Sequence, residues 1–489
     1  MLAVHLTFPG AEPRRHPDIR GQPQRFRTST GSGACVMRAS MADLTHPLPP
    51  VAVPDAERDD GASSWGRYPG HPQQRRRLWW PHDPVPWASC GGVLPRGLGR
   101  SYGDSCLAHG GTLVDVTPCA RLLALDTATG VLTAEAGASL GAIAAAVLPH
   151  GWYPPVVPGT RHVTLGGAIA NDIHGKNHWS AGSFGCHVRS IELRRSDRAA
   201  PVRLAPGDPL FAATIGGIGL TGIIASATIA LARVPGPGIV GRAHAFGSWD
   251  DYFAQAEETT RAHAHSVEWF APGARGTVRG VFRRGDPASG PAHWNAEPSA
   301  WGVVPFDLPA AATSGPAIAA FNAVYFRASV RAARRPRLVP VWPFMHPLDG
   351  LGHVNRIYGR RGFLQYHFVV PRGADRTEVP AILAAIADRG LRVFLPVMKQ
   401  FGPVASPGLL SFPLPGTSVA LDFPWQGDRL FRLLDELDAR VADCGGRVYI
   451  AKDARMSGEA FRRFYPRWEE LERHRDPAIR SHFWHRVTR

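Results

Sequence analysis

Among the 55 lysines and arginines of this chain only three are lysines: Lys176, Lys399 and Lys452. They stand in HGKNH (174–178), VMKQF (397–401) and AKDAR (451–455). A compact ammonium whose pKa shifts on burial cannot be replaced by a guanidinium that never deprotonates. A chain that uses arginine almost everywhere else and keeps lysine in these three places points to proton or charge work by at least one of them. Beside Lys176 stand His174 and, upstream, a run without regular apolar period, PGTRHVTLGGAIANDIHGKNH (158–178). Its glycines (Gly159, Gly166, Gly167, Gly175) and polar tips (Thr160, Thr164, Asn171) offer backbone amides at close range, which suits a large or anionic ligand. An ordinary Gly-rich surface loop is the alternative reading of that run by itself.

A second stretch, PRGLGRSYGDS (95–105), interleaves Gly97, Gly99 and Gly103 with Arg96, Leu98, Arg100, Ser101, Tyr102 and Asp104. It lacks the GxGxxG spacing and long following helix of a nicotinamide turn. An amide cradle for phosphate, with an arginine at either end, fits it.

The pair RGLGRSYGD and PGTRHVTLGGAIANDIHGKNH, followed by SAGSFG (180–185) and IGGIGLTGII (215–224), resembles the FAD domain of the vanillyl-alcohol-oxidase (PCMH-type) flavoprotein superfamily. Within it, the chain resembles the decaprenylphosphoryl-β-D-ribose oxidases, through FMHPLDGLGHVNRIYGRRGFLQYHFVVP (344–371), KQFGP (399–403) and YIAKDAR (449–455). The resemblance runs from about Arg96 to Arg455. It implies an α+β flavoprotein: a PCMH-type FAD-binding domain plus a mixed substrate, or cap, domain. It also implies oxidation of the ribose C2 hydroxyl of a polyprenylphosphoryl-β-D-ribose to the 2-keto sugar, with a short-chain NADH-dependent reductase as partner completing an epimerisation to arabinose for cell-wall arabinan. A sugar-lactone or alditol oxidase of the same superfamily is the alternative.

The resemblance likewise suggests roles for residues. Lys452 would lie by the reacting hydroxyl, with Tyr102, His174 and Lys176 as further catalytic candidates. Residues 96–104, Gly159, Thr160, Thr164, Gly166, Gly167, Asn171, Ile173, His174, Ile224 and Tyr449 would hold FAD. Lys176, Gln365, His367, Met398 and Lys452 would meet the substrate. Many superfamily members attach the flavin through a histidine beside the first loop's glycine; here that place is Asp104, so non-covalent FAD is expected. His367 stands where close relatives tend to carry glutamine. Pro396 and Met398 stand where relatives place an Asn and a small thiol, and Met345 stands in place of an aromatic hydroxyl. These departures bear on substrate identity.

These residues need a scaffold. A chain of 489 residues with 44% apolar and 19% charged composition is globular and too long for one core. Thr112–Val116, Val131–Ala136, Val188–Arg194 and Gly222–Ala232 read as strands, and Leu140–Leu148 as an Ala-rich helix. The break VPGPG (234–238) marks a boundary. The expected organisation is a tail over 1–45, an FAD domain over 46–236, a cap over 237–446 and a return over 447–489 that completes the first domain. The Pro/Arg-rich segment 287–340 reads as a mobile loop region.

The formal charge of +15 favours anionic partners. No nucleic-acid-binding signature accompanies it, so none is expected as a partner. The cluster QQRRRLWWP (73–81) reads either as a solvated charge run beside packed tryptophans or as a peripheral membrane foothold. No secretory h-region and no run of 18 apolar residues is visible, so a cytoplasmic or peripheral-membrane location is expected; Met37 or Met41 is a candidate start. The six cysteines (Cys35, Cys90, Cys106, Cys119, Cys186, Cys444) show no metal spacing and read as thiols, and no metal is expected.

Overall fold

The alternation of apolar and polar residues along Phe363–Pro371, Phe394–Phe401 and Gly416–Pro424 sets the architecture that matters for function. In a strand successive side chains point to opposite faces. Leu364, Tyr366, Phe368 and Val370 enter one hydrophobic core with Met398, Val419, Leu421 and Phe423. Their neighbours Gln365, His367, Lys399, Ser418, Ala420 and Asp422 are turned to the other face. The computed structural model describes residues 63–88, 91–273, 276–332 and 335–489.

The three strands sit side by side in an eight-stranded antiparallel sheet. Its order is Arg337–Pro340, Gly238–Phe246, Val278–Ala288, His265–Pro272, Phe394–Phe401, Gly416–Pro424, Phe363–Pro371, Arg447–Val448. Helices Trp249–Ala262, Asp375–Asp388 and Asp428–Asp443 cover the apolar face. The last shows why: Leu430, Leu433, Leu434, Leu437 and Val441 recur at helical spacing and are buried, each worth about 2 kcal/mol of transfer free energy.

A five-stranded antiparallel sheet, ordered Leu122–Asp126, Val131–Glu135, Ile223–Ala230, Val188–Arg194, Val202–Leu204, carries a second core. Helix Leu140–Val147 packs there, its start capped by Ser139, whose Oγ accepts from Ala142 N at 3.0 Å. A three-stranded parallel sheet joins Gln74–Arg77, Thr112–Asp115 and Val93–Arg96. The C-terminal helices Gly458–Phe464, Trp468–His474 and His482–Thr488 follow, and single bridges Val93–Ile479 and Ala108–Ser481 fasten them to it.

The expected strands and the Ala-rich helix are all present, within a residue or two at their ends, and the mixture of helix and sheet is α+β. One expectation is corrected. Segment 287–340 holds Gly315–Ala332, an 18-residue helix. Its prolines misled: Pro309 and Pro336 flank the helix and Pro316 sits in its first turn, where a missing N–H costs nothing. The tail over 1–45, Cys35 and Cys90 lie outside the described residues. Cys106, Cys119, Cys186 and Cys444 form no disulfide. In the 73–81 cluster, Arg75 and Arg77 pair with Asp115, and Arg121 lies 4.1 Å over the Trp80 ring. Among the described residues no helix is long and apolar enough to cross a membrane.

Candidate active site

The two glycine-bearing turns meet. A Cβ on Gly97 would stand 2.2 Å from Thr164 Oγ1, and one on Gly103 would stand 1.7 Å from the carbonyl oxygen of Asp453. The first turn is thus wedged between the second turn and the C-terminal return, with no room for side chains at those two positions. Tyr102 N donates to Ala451 O at 2.9 Å. On its other side Trp65 N bonds Ser101 O at 2.9 Å, and Arg100 stacks on the Trp65 ring at 4.3 Å. Leu98 is half-buried, and Gly99 adopts φ +63° against the Arg96 guanidinium. Thr164 caps helix Leu165–Ala170 by accepting from Gly167 N at 3.1 Å, Gly166 packs on Ala136, and Gly159 faces open space.

The second turn continues into the sheet face. Tyr449 donates its hydroxyl to Asn171 O at 2.8 Å and its amide to His367 O at 2.8 Å. The His174 ring lies 5.0 Å from that of His367 and 5.6 Å from Tyr449. His367 Nε2 is 2.9 Å from Ser418 Oγ. Ile173 and Ile224 are buried in the core of the five-stranded sheet, and Thr160 Oγ1 accepts from His162 N at 3.2 Å.

Lys452 arrives from the opposite side, at the end of the turn Ile450–Lys452 that follows the edge strand. Its Nζ lies 3.6 Å from the centre of the Tyr102 ring. Asp422 stands near it, accepting from Gln365 at 2.6 Å and Tyr358 at 2.7 Å. Burial pushes the Lys452 ammonium down to about 7, Asp422 opposing and Lys399 adding to the shift. Lys176 is pushed to about 7 by burial, with Lys399 and Arg283 adding, and its Nζ donates to Met345 O at 2.5 Å. Lys399 falls to about 8 through burial, with Glu268 opposing. The three lysines therefore share one electrostatic neighbourhood.

Three expected site residues are placed elsewhere. Asp104 is fully buried against the C-terminal helix, bonded by Arg486 at 2.8 and 2.9 Å and by His482 at 3.0 Å. Arg96 does not close an anion cradle; its guanidinium donates to the carbonyls of Ser63 at 2.6 Å and Cys106 at 3.1 Å. Met398 lies in the hydrophobic core, because strand alternation gives the cleft to its neighbour Lys399.

Comparison with known proteins settles the family. Residues 90–197 match the FAD binding domain family. The chain is 39% identical over 406 residues to the decaprenylphosphoryl-beta-D-ribose oxidase of Mycolicibacterium smegmatis, covering 79% of this chain and 86% of that protein. The chain belongs to the decaprenylphosphoryl-β-D-ribose oxidase family. An uncharacterized protein of Streptomyces coelicolor is 35% identical over 347 residues, 67% of this chain and 92% of its own. An alditol oxidase of a Streptomyces species is 25% identical over 146 residues, 30% of this chain and 34% of its own.

As a member of this oxidase family the protein uses FAD, and its residues fit that group. Both turns bring amides together where added side chains would clash. His174 Nδ1 and His367 Nδ1 are buried without a hydrogen-bond partner among the described residues, which suits a polar ligand. Motif reading missed Lys399 as a site residue, along with Ser418, Asp422 and His178. Lys399 depresses the pKa of His174, His178 and His367 after burial, besides those of Lys176 and Lys452. The scarcity of lysine was a signal for it; Ser418 and Asp422 carry none until the strand's register is known.

Proposed function

We propose that the protein oxidises the C2 hydroxyl of a polyprenylphosphoryl-β-D-ribose to the 2-keto sugar. The observation that carries this reading is the half-buried Lys452 amine against Tyr102, on the turn that packs against the first glycine turn. Kinship with an oxidase named for that sugar supports it. In such an oxidation the C2–H bond breaks with its electron pair and the hydroxyl proton leaves, so a hydride acceptor and a base are both needed. FAD, when bound, supplies the hydride acceptor. Lys452 Nζ, half-neutral near pH 7, takes the hydroxyl proton. Tyr102 orients that amine by its ring face. Lys176 and Lys399 give the cleft the positive charge that a phosphodiester requires.

The flavin is held without a covalent bond in this reading, since the Asp104 carboxylate is engaged by Arg486 and His482. We also read 46–236 with 447–489 as the FAD-binding part and 237–446 as the cap. The five-stranded sheet lies in the former, and seven of the eight strands of the larger sheet lie in the latter. A short-chain NADH-dependent reductase would take the 2-keto product to arabinose.

Anaerobic mixing with farnesylphosphoryl-β-D-ribose, xylitol or an aldonolactone tests the reading. Bleaching of the flavin absorbance by the phosphosugar alone is expected. Bleaching by xylitol or the lactone, with none by the phosphosugar, assigns the alternative alditol- or lactone-oxidase activity.

A further inference from the structure

We propose that the face presenting Trp301, Val303, Phe306 and Leu348 is where the holoenzyme rests on an anionic phospholipid surface. The inference builds on the polyprenyl-phosphate reading above, because a lipid-borne sugar must be met at a membrane. Trp301 and Phe306 are each 63% exposed, and Val303 and Leu348 are also exposed. They form one patch. Trp301 N donates to Gly350 O at 2.8 Å, Val303 pairs with Gly352, and Leu351 N returns to Leu348 O at 3.2 Å. Arg356 holds the backbone beneath, donating to Val304 O at 3.1 Å and Pro305 O at 2.8 Å. The polar groups are thus satisfied inward while the apolar side chains stand outward. Exposed aromatic rings of this kind sit well at headgroup depth.

Charge selects the occupant. Residues 301–362 contain eight arginines and two carboxylates. Both carboxylates are engaged: Asp307 with Arg67, and Asp349 with Arg161 at 3.6 Å. Phe306 shares a recess with Arg356, Arg360 and Asp307, the last paired with Arg67. Apolar side chains beside Arg356 and Arg360 match acyl chains below anionic headgroups.

Packing through the interior ties the face to the Tyr102 side of the site. Leu308 N bonds Arg356 O at 2.9 Å, in the turn Val354–Tyr358. That turn ends in Tyr358, whose ring stacks on Phe363 at 3.8 Å, and Phe363 meets the Tyr102 ring at 5.2 Å. At the other exposed aromatic pair, Trp79 and Trp80, Asp115 pairs with both Arg75 and Arg77.

Holoenzyme sedimentation with vesicles of phosphatidylcholine plus phosphatidylglycerol, against phosphatidylcholine alone, is the test. Binding to the anionic vesicles alone is expected. Trp301→Ser with Phe306→Ser should weaken it about tenfold or more, Arg360→Gln should weaken it and flatten its salt dependence, and Trp79→Ser with Trp80→Ser should leave it unchanged. Absence of binding, or loss only in the Trp79/Trp80 variant, overturns the proposal. The readout needs no substrate, so anionic-vesicle binding by a protein that fails to oxidise farnesylphosphoryl-ribose would count against the function alone. Turnover of that sugar without vesicle binding would count against the surface alone.

Discussion

The amine of Lys452 and the ring of Tyr102, 350 positions apart in the chain, lie 3.6 Å from each other, nitrogen to ring centre. Each element that brings them together is pinned by backbone: Tyr102 N to Ala451 O, and Gly103 against Asp453. An amine with a pKa near 7 is neutral above that pH and able to accept a proton. Flavin reduction by substrate should therefore rise with pH and level off above about 7. Lys452→Arg removes the accepting form at every pH and should slow reduction by roughly 10²-fold or more, without the pH rise. Anaerobic stopped-flow reduction across pH measures both. An arginine variant with an unchanged limb would remove Lys452 as the base.

Lys399 sets the position of that limb. Its charge helps depress Lys452 and Lys176, after burial itself. Lys399→Met should let both pKa values rise and move the limb to higher pH, with little change in the plateau if Lys399 only tunes. The same variant has a stability signature. The three lysines have folded values of about 7, 8 and 7, below the ordinary 10.5, so between these limits the unfolded chain binds more protons. Stability of the protein should then climb as pH rises through that window, and climb less steeply in Lys399→Met. Denaturant melts at several pH values give the slope.

Asp104 is a structural anchor of the first glycine turn. Burial raises its carboxyl, yet Arg486 and His482 outweigh burial and hold it below the usual range. Asp104→Ala leaves Arg486 with one of its two carboxylate partners, Asp453, and should cost about 3 kcal/mol by denaturant titration. FAD should dissociate more readily, as followed by fluorescence of released flavin. Asp104→His should not create a covalent flavin, because that side chain is directed at the C-terminal helix; fluorescence of the denatured band in a gel decides it.

How much of this was legible beforehand depended on the kind of signal. The glycine turns, Tyr102 and Lys452 could be singled out in the sequence because amide cradles and titratable amines demand particular residue types, and the structure sets Tyr102 beside Lys452 and the two turns against each other. Strands such as Val188–Arg194 were readable from local pattern. Met398 was misassigned because a slip of one residue in a strand reverses its face, and which of Met398 and Lys399 meets the cleft is decided by pairing with Val419 and Ser418. Asp104 was misassigned for a related reason. Its partners Arg486 and His482 come from 378 or more positions away, and no local pattern announces them.

A column of imidazoles at the C-terminal helix gives the last expectation. His71 stacks on His482 at 3.9 Å, His109 on His485 at 3.6 Å, and His109 lies 5.5 Å from His482. His482 bonds Asp104, so the column abuts the anchor of the first glycine turn; Arg480 and Arg489 add positive charge beside it. Burial, then the neighbouring imidazoles, lowers the pKa of His71, His109 and His485 below 6.5. The unfolded chain therefore binds more protons just below pH 6.5, and stability should fall as pH drops through that value. Glu268 acts in the opposite sense: burial raises it to about 7, so its contribution improves as pH falls from there toward 4.5. Comparison with His109→Gln/His485→Gln removes that background. The variant's melting temperature should fall less than the wild type's between about pH 7.5 and 5.5. Parallel curves would show that these imidazoles bind protons equally in the folded and unfolded chain and leave the first glycine turn unaffected.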